Sequence, residues 1–197
     1  MSALAPSLDY NAGTTQQNDA YPLTKSQSGI WLEYQKDTLS TKYNLTLEID
    51  FANTLIDTPS VSKIVEAIYT LTQRNTILRS TLSLRNGDPC IQEHRLDSAD
   101  PEIRIIYRRV LKSQEPEAQL FHRPFQLEDE FAARWIILQG ADTIKVYMIG
   151  HHIIVDGHSM SLLSSELLEI LARRVSQLPV PVHFSQMGVI EVRQRPG

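Results

Sequence analysis

The chain has 197 residues, with 19 Lys and Arg against 23 Asp and Glu, a formal net charge of −4 and 42% hydrophobic residues. This is the balance of a globular chain with enough length for one core, not of a chain disordered as a whole. Dispersed basic residues and mild acidity argue against a nucleic-acid surface, and no stretch reaches the roughly 18–20 apolar residues of a membrane span. The single cysteine, Cys90, has no second thiol for a disulfide or a CxxC pair. The N-terminus, Met1-Ser2-Ala3-Leu4-Ala5-Pro6, has neither the basic nor the apolar region of a secretory signal, so the expected location is cytoplasmic.

Residues 1–20 are polar and aperiodic and read as a flexible leader or linker. Thr24 and Gln27 have capping-box spacing, and Ile30, Trp31 and Tyr34 follow on one helical face. Residues 43–51 alternate apolar and polar side chains, which predicts a strand with one buried face. Pro59 opens a second helix marked by Val61, Ile64, Val65, Ile68 and Leu71. Asn86-Gly87-Asp88-Pro89 predicts a hairpin between strands over 77–85 and 90–95. A short strand over 103–107 and a weaker helix over 112–121 come next. A second hairpin over 131–149 turns at Gln139-Gly140-Ala141-Asp142. Met160, Leu163, Leu167, Ile170 and Leu171 mark a last amphipathic helix. The interleaved helices and hairpins predict an α/β chain, an α+β two-layer sandwich with a mixed, partly antiparallel sheet covered by helices.

The chemically dense segment, Gly150-His151-His152-Ile153-Ile154-Val155-Asp156-Gly157-His158-Ser159, joins a strand end to a helix start. Successive strand side chains point to opposite faces, so one histidine can face a cavity while its neighbour faces the core. A neutral imidazole can take a proton from an amine or hydroxyl at cytosolic pH. Asp156 follows Ile153, Ile154 and Val155, and a buried carboxylate needs a cation; Arg79 and Arg134 on neighbouring strands are the candidates. A metal site on His151, His152, His158 and Asp156 lacks HExxH spacing and cysteine ligands, so no metal is expected. A hydrolase built on Ser159 lacks a GxSxG elbow. A purely structural histidine pair, hydrogen-bonded in a core, is the remaining alternative.

His151-His152-Ile153-Ile154-Val155-Asp156-Gly157 resembles the HHxxxDG motif of condensation domains of nonribosomal peptide synthetases, whose fold is similar to chloramphenicol acetyltransferase. Leu23 to Trp31 resembles the family's opening segment, Arg74 to Leu82 its Arg-His-Glu-x-Leu-Arg-Thr-x-Phe segment, and Pro124-Phe125-Gln126-Leu127 with Arg134 its Pro-Phe-Asp-Leu segment and later arginine. The resemblance spans Tyr21 to about Arg174. It implies an N-terminal lobe over 21–175 and a linker over 176–197 leading to an absent C-terminal lobe.

The resemblance further implies amide or ester formation between a carrier-borne acyl or peptidyl thioester and an acceptor amine, in nonribosomal peptide or hybrid polyketide biosynthesis. His152 would be the catalytic residue, with His151 a scaffold residue, Asp156 in a structural ion pair to Arg79 or Arg134, and Gly157 at the substrate tunnel. No cofactor is bound directly; phosphopantetheine arms arrive on partner carrier proteins. Asn75-Thr76 stands where the family has His-Glu, and Phe131-Ala132-Ala133 where it has Pro-Leu. Family domains are about twice this length, in two lobes. The isolated chain is therefore expected to be inactive, with a homodimer through the exposed lobe face as a further expectation. The competing reading is a truncated, non-catalytic module that docks a carrier protein or synthase.

Overall fold

The computed structural model describes residues 20–53, 58–96, 102–110 and 118–180. The leader up to residue 19, residues 112–117 of the weaker helix, and the tail from residue 181 lie outside the described residues.

The chain begins with β1 (Ala20–Pro22) and α1 (Lys25–Lys36). The predicted capping box forms: the Gln27 amide donates to Thr24 Oγ1, and the Thr24 amide donates to Gln27 Oε1 at 2.9 Å. Strand β2 (Asn44–Asp50) follows, turning its odd positions inward, with Ile49 buried and Leu45 and Leu47 half-buried. Helix α2 (Val61–Arg74) starts just after Pro59 and Ser60, because Ser60 is the cap. Its apolar stripe, Ile64, Ile68 and Leu71, is sealed from water, each side chain being worth about 1.5–3 kcal/mol of burial.

A 3-10 turn over Thr76–Arg79 precedes β3 (Ser80–Arg85), which pairs with β4 (Asp88–Glu93) through Asn86-Gly87. Both turn residues have positive φ, 56° and 90°, the geometry that suits the twist of a two-residue hairpin. Strand β5 (Arg104–Arg109) and the short α3 (Ala118–Phe121) lead to β6 (Ala133–Gln139), β7 (Ile144–His151) and α4 (Gly157–Leu171).

The strands form two sheets, a three-stranded one in the order β1-β4-β3 and a four-stranded one in the order β2-β7-β6-β5. Only the β5–β6 pair is parallel among the described residues. The division into two sheets is not visible in the interleaving of elements along the chain. The sheets meet where the Leu82 amide donates to the Leu127 carbonyl and the Ala132 amide to the Ser80 carbonyl.

The register of the larger sheet assigns its faces. Val146, Met148, Gly150, Trp135 and Ile137 share one face with Ile49. Helix α4 lies against β2, and α2 packs on α4. Arg134, Ile136, Ile149 and His151 share the other. At the His151 end that face is closed by Tyr34 of α1 and Phe125; at the far end it carries Lys145, ion-paired to Glu48 and Asp50.

Candidate functional site

Strand β7 delivers the His loop to the sheet's end. His151 is its last residue and is 3% exposed, its ring set edge-on to Tyr34 and Phe125 and tilted against Tyr43. Its Nδ1 accepts the Ile153 amide at 3.2 Å. Burial, and then the neighbouring His152, push its pKa down to about 4, so it is a neutral core residue. His152 lies one step beyond the strand and is exposed. Its amide donates to the Tyr43 carbonyl at 2.8 Å, and its ring Nδ1 sits 2.9 Å from the Val155 carbonyl. A carbonyl can only accept, so the neutral ring carries its hydrogen on Nδ1 and presents an unprotonated Nε2.

The loop is tight. The Ile154 and Val155 amides both reach back to the His151 carbonyl, at 3.0 and 3.3 Å. Gly150 is what lets the turn close: a Cβ there would lie 2.5 Å from Cγ2 of the buried, β-branched Val155. Sequence reasoning passed over this glycine, whose signal was its place at the end of a predicted strand, where a second piece of backbone can approach closely. It also missed the outer anchor. Gln27, 9% exposed, donates from Nε2 to the Ile153 carbonyl at 2.8 Å across 126 residues of sequence.

Asp156 corrects the sequence expectation. It is exposed, not buried, and it caps α4: Oδ1 accepts from the Ser159 amide at 2.7 Å and from the Ser159 hydroxyl at 2.8 Å. These two bonds hold its pKa below the usual carboxylate value. Neither candidate arginine reaches it. Arg79 is half-buried in the smaller sheet's neighbourhood and donates to the His94 carbonyl. Arg134 is 1% exposed on the far face of β6. The physical reason is that the chain turns into a helix directly after Val155, and the free amides of that helix satisfy the carboxylate instead.

Arg134 organises a different segment. Its guanidinium donates to the Arg123 and Pro124 carbonyls and stacks over the Phe125 ring at 4.1 Å. Asn44 Nδ2 also donates to the Arg123 carbonyl, at 3.0 Å, and the Tyr34 hydroxyl receives the Leu127 amide at 3.3 Å. Residues 123–127 are thereby pinned over His151. Gly157 opens α4, and a Cβ there would meet nothing within 4 Å. Among the described residues no group of His, Cys, Asp and Glu could hold a metal ion, and no helix is long and apolar enough to cross a membrane.

The chain is similar to known proteins in sequence and in fold. The Condensation domain family matches residues 17–186. A hybrid PKS-NRPS synthetase TAS1 of Gloeophyllum trabeum is 35% identical over 176 residues, covering 87% of this chain and 11% of its own length. The counterpart from Pyricularia oryzae is 34% identical over 194 residues, again spanning 11% of its length. The starter condensation domain of rhizomide synthetase RzmA superposes with a TM-score of 0.72 at 15% identity, covering 89% of this chain and 45% of that one. The first condensation domain of the calcium-dependent antibiotic synthetase gives 0.66 at 20% identity, covering 83% and 40%. The chain thus spans about a tenth of the curated relatives it matches and under half of these solved domains. Its fold is the chloramphenicol acetyltransferase-like fold of those domains, and the chain belongs to the condensation-domain family.

Proposed function

We propose that this chain supplies the N-terminal lobe, residues 21–175, of a condensation domain that joins a carrier-borne acyl or peptidyl thioester to an acceptor amine or hydroxyl. The observation that carries the reading is the exposed His152 ring with Nδ1 bound to the Val155 carbonyl and Nε2 without a hydrogen-bond partner among the described residues. The relatives' names, hybrid PKS-NRPS synthetases among them, support the reaction class.

In this reaction the acceptor nitrogen attacks the thioester carbonyl carbon, the C–S bond breaks and the carrier thiol leaves. His152 Nε2 either receives the proton that the nitrogen gives up and passes it to the departing sulfur, or holds the amine in place while that proton moves to the sulfur. A group fixed in one tautomer and one direction reduces the barrier through proton transfer and positioning together. His151 and Asp156 touch no reacting atom: the first is the floor of the loop, the second the cap that starts α4. Both substrates arrive on phosphopantetheine arms of carrier proteins, and the second wall of the tunnel belongs to a C-terminal lobe. Alone, the 197 residues leave His152 on a wet surface, where its effect on developing charge is screened.

The test is a mixture of the chain, its C-terminal lobe and loaded donor and acceptor carrier proteins, with product followed by mass spectrometry. His152→Ala should lower turnover by about 10²–10⁴-fold while thermal unfolding stays unchanged. Undiminished turnover in that variant, or no turnover by the assembled wild type, would favour a non-catalytic docking module.

A further inference from the structure

We infer that Gln27, on the first helix, is the positioning residue that fixes the tautomer and direction of His152. The inference rests on the reading of His152 as the acting group, but its test needs no turnover.

The connection runs through the backbone. Gln27 divides its amide between two tasks: Oε1 accepts the Thr24 amide at 2.9 Å, and Nε2 donates to the Ile153 carbonyl at 2.8 Å. The first task could be done by any capping acceptor, glutamate included. The second needs a donor at that position. Ile153 is 1% exposed, so its carbonyl has no water to turn to if the donor is lost.

The Ile153 carbonyl lies at the centre of the turn that aims His152. The turn's inner side is closed by the bonds from Ile154 and Val155 to the His151 carbonyl. The 153–154 peptide is held from outside by Gln27, and two residues later the Val155 carbonyl meets His152 Nδ1 at 2.9 Å. A rotation of that peptide in search of another donor displaces the Val155 carbonyl from the ring. His152 then loses the acceptor that selects the Nδ1–H form, and reverts toward the Nε2–H form that a free imidazole prefers. The Nε2 lone pair is lost with it. Gln27 therefore acts on His152 without touching it, through the backbone between Ile153 and Val155.

The experiment is nitrogen-15 NMR of the imidazoles in the full chain, at a pH where His152 is neutral, with His152→Ala assigning its signals. In the wild type the Nδ1–H tautomer should dominate. Gln27→Glu keeps the acceptor for the Thr24 amide but has no donor for Ile153, and should lower the Nδ1–H to Nε2–H ratio by about three- to tenfold, the weight of one hydrogen bond. Gln27→Met should do the same. Thr24→Val, which removes the cap and leaves the Gln27–Ile153 bond, should leave the ratio unchanged. An unchanged ratio in either folded Gln27 variant overturns the inference. So does an equal shift in Thr24→Val, or loss of the fold in both Gln27 variants, which would make the residue a structural one.

Discussion

The molecule treats Asp156 and Arg134, the second choice after Arg79 as its expected ion-pair partner, in opposite ways. Around Arg134 everything is dry: a cation at 1% exposure, an aromatic ring beneath it, two carbonyls in front of it, and no carboxylate in ion-pairing distance among the described residues. Around Asp156 everything is wet, and its partners are a helix amide and a hydroxyl three residues away. The difference shows that a charge need not sit in a direct ion pair to be built into a fold, although the buried Glu130 nearby also favours the Arg134 cation. Carbonyl dipoles serve the buried cation and helix amides serve the exposed anion. Burial lowers the Arg134 pKa to about 10, still far above neutrality, so the guanidinium remains charged.

The comparison breaks first at Arg134. Replacing it by Ala leaves the Pro124 carbonyl without its donor and the Arg123 carbonyl with Asn44 alone, opens a cavity beside Phe125 and loosens residues 123–127 from the sheet. A loss of about 3–5 kcal/mol is expected, measured as a fall in the urea midpoint. A loss below about 1 kcal/mol would mean that the segment is held by Asn44 and Tyr34 instead.

His151, buried beneath the same segment, makes a pH-dependent version of the same point. Its folded pKa of about 4 lies below the unfolded value of about 6.5. Between those values the unfolded chain binds the extra proton, so stability is full above about pH 6.5 and falls as pH drops toward 4. The loss through this window is about 3 kcal/mol at most. His151→Phe, which fits an aromatic surround but cannot be protonated, should flatten that part of the stability–pH curve in equilibrium unfolding. An unchanged slope would assign it to other groups.

The two glycines that bracket the loop sharpen the contrast between its dry and wet ends. Gly150→Ala forces Cβ against Val155 and should cost about 1–3 kcal/mol. Gly157→Ala meets open space in the first turn of α4 and should lie within about 0.5 kcal/mol of wild type. Parallel thermal melts decide it, and equal effects at the two positions would contradict the tight packing of Val155 on Gly150.

Local signals in the sequence were reliable wherever one element determined the outcome. Thr24 and Gln27 formed their box and Asn86-Gly87 made its turn because each needs only neighbours along the chain, and the alternation over 43–51 became β2 because its period marks a strand whichever strand it pairs with. The family motif likewise located the His loop between β7 and α4. What escaped were relations between distant elements: the split into two sheets, the Gln27–Ile153 bond, and the carbonyls that Arg134 reaches. Asp156 is a separate lesson. Its apolar neighbours Ile153, Ile154 and Val155 suggested burial, while the Asp-x-x-Ser spacing from Asp156 to Ser159, ahead of a helical stripe, carried the capping signal that prevailed.

The smallest expected effect is the most discriminating for that residue. If Asp156 belonged to a buried ion pair, Asp156→Asn would strand an arginine and cost about 3–5 kcal/mol. As a cap it should tolerate the change, because an asparagine accepts from a helix amide about as well as an aspartate; only the favourable charge at the helix start is lost, worth about 0.3–1 kcal/mol. Asp156→Ala, which removes the acceptor, should cost about 0.5–2 kcal/mol. The pH dependence carries the same signature: the folded pKa is depressed, so the cap's contribution is present above the unfolded carboxylate pKa and is lost as pH falls through the folded value. In the Asp156→Asn variant that acid limb should vanish while the stability at neutral pH hardly moves. A large loss in Asp156→Asn at neutral pH, seen by urea unfolding, would restore the ion pair and remove the cap from its place.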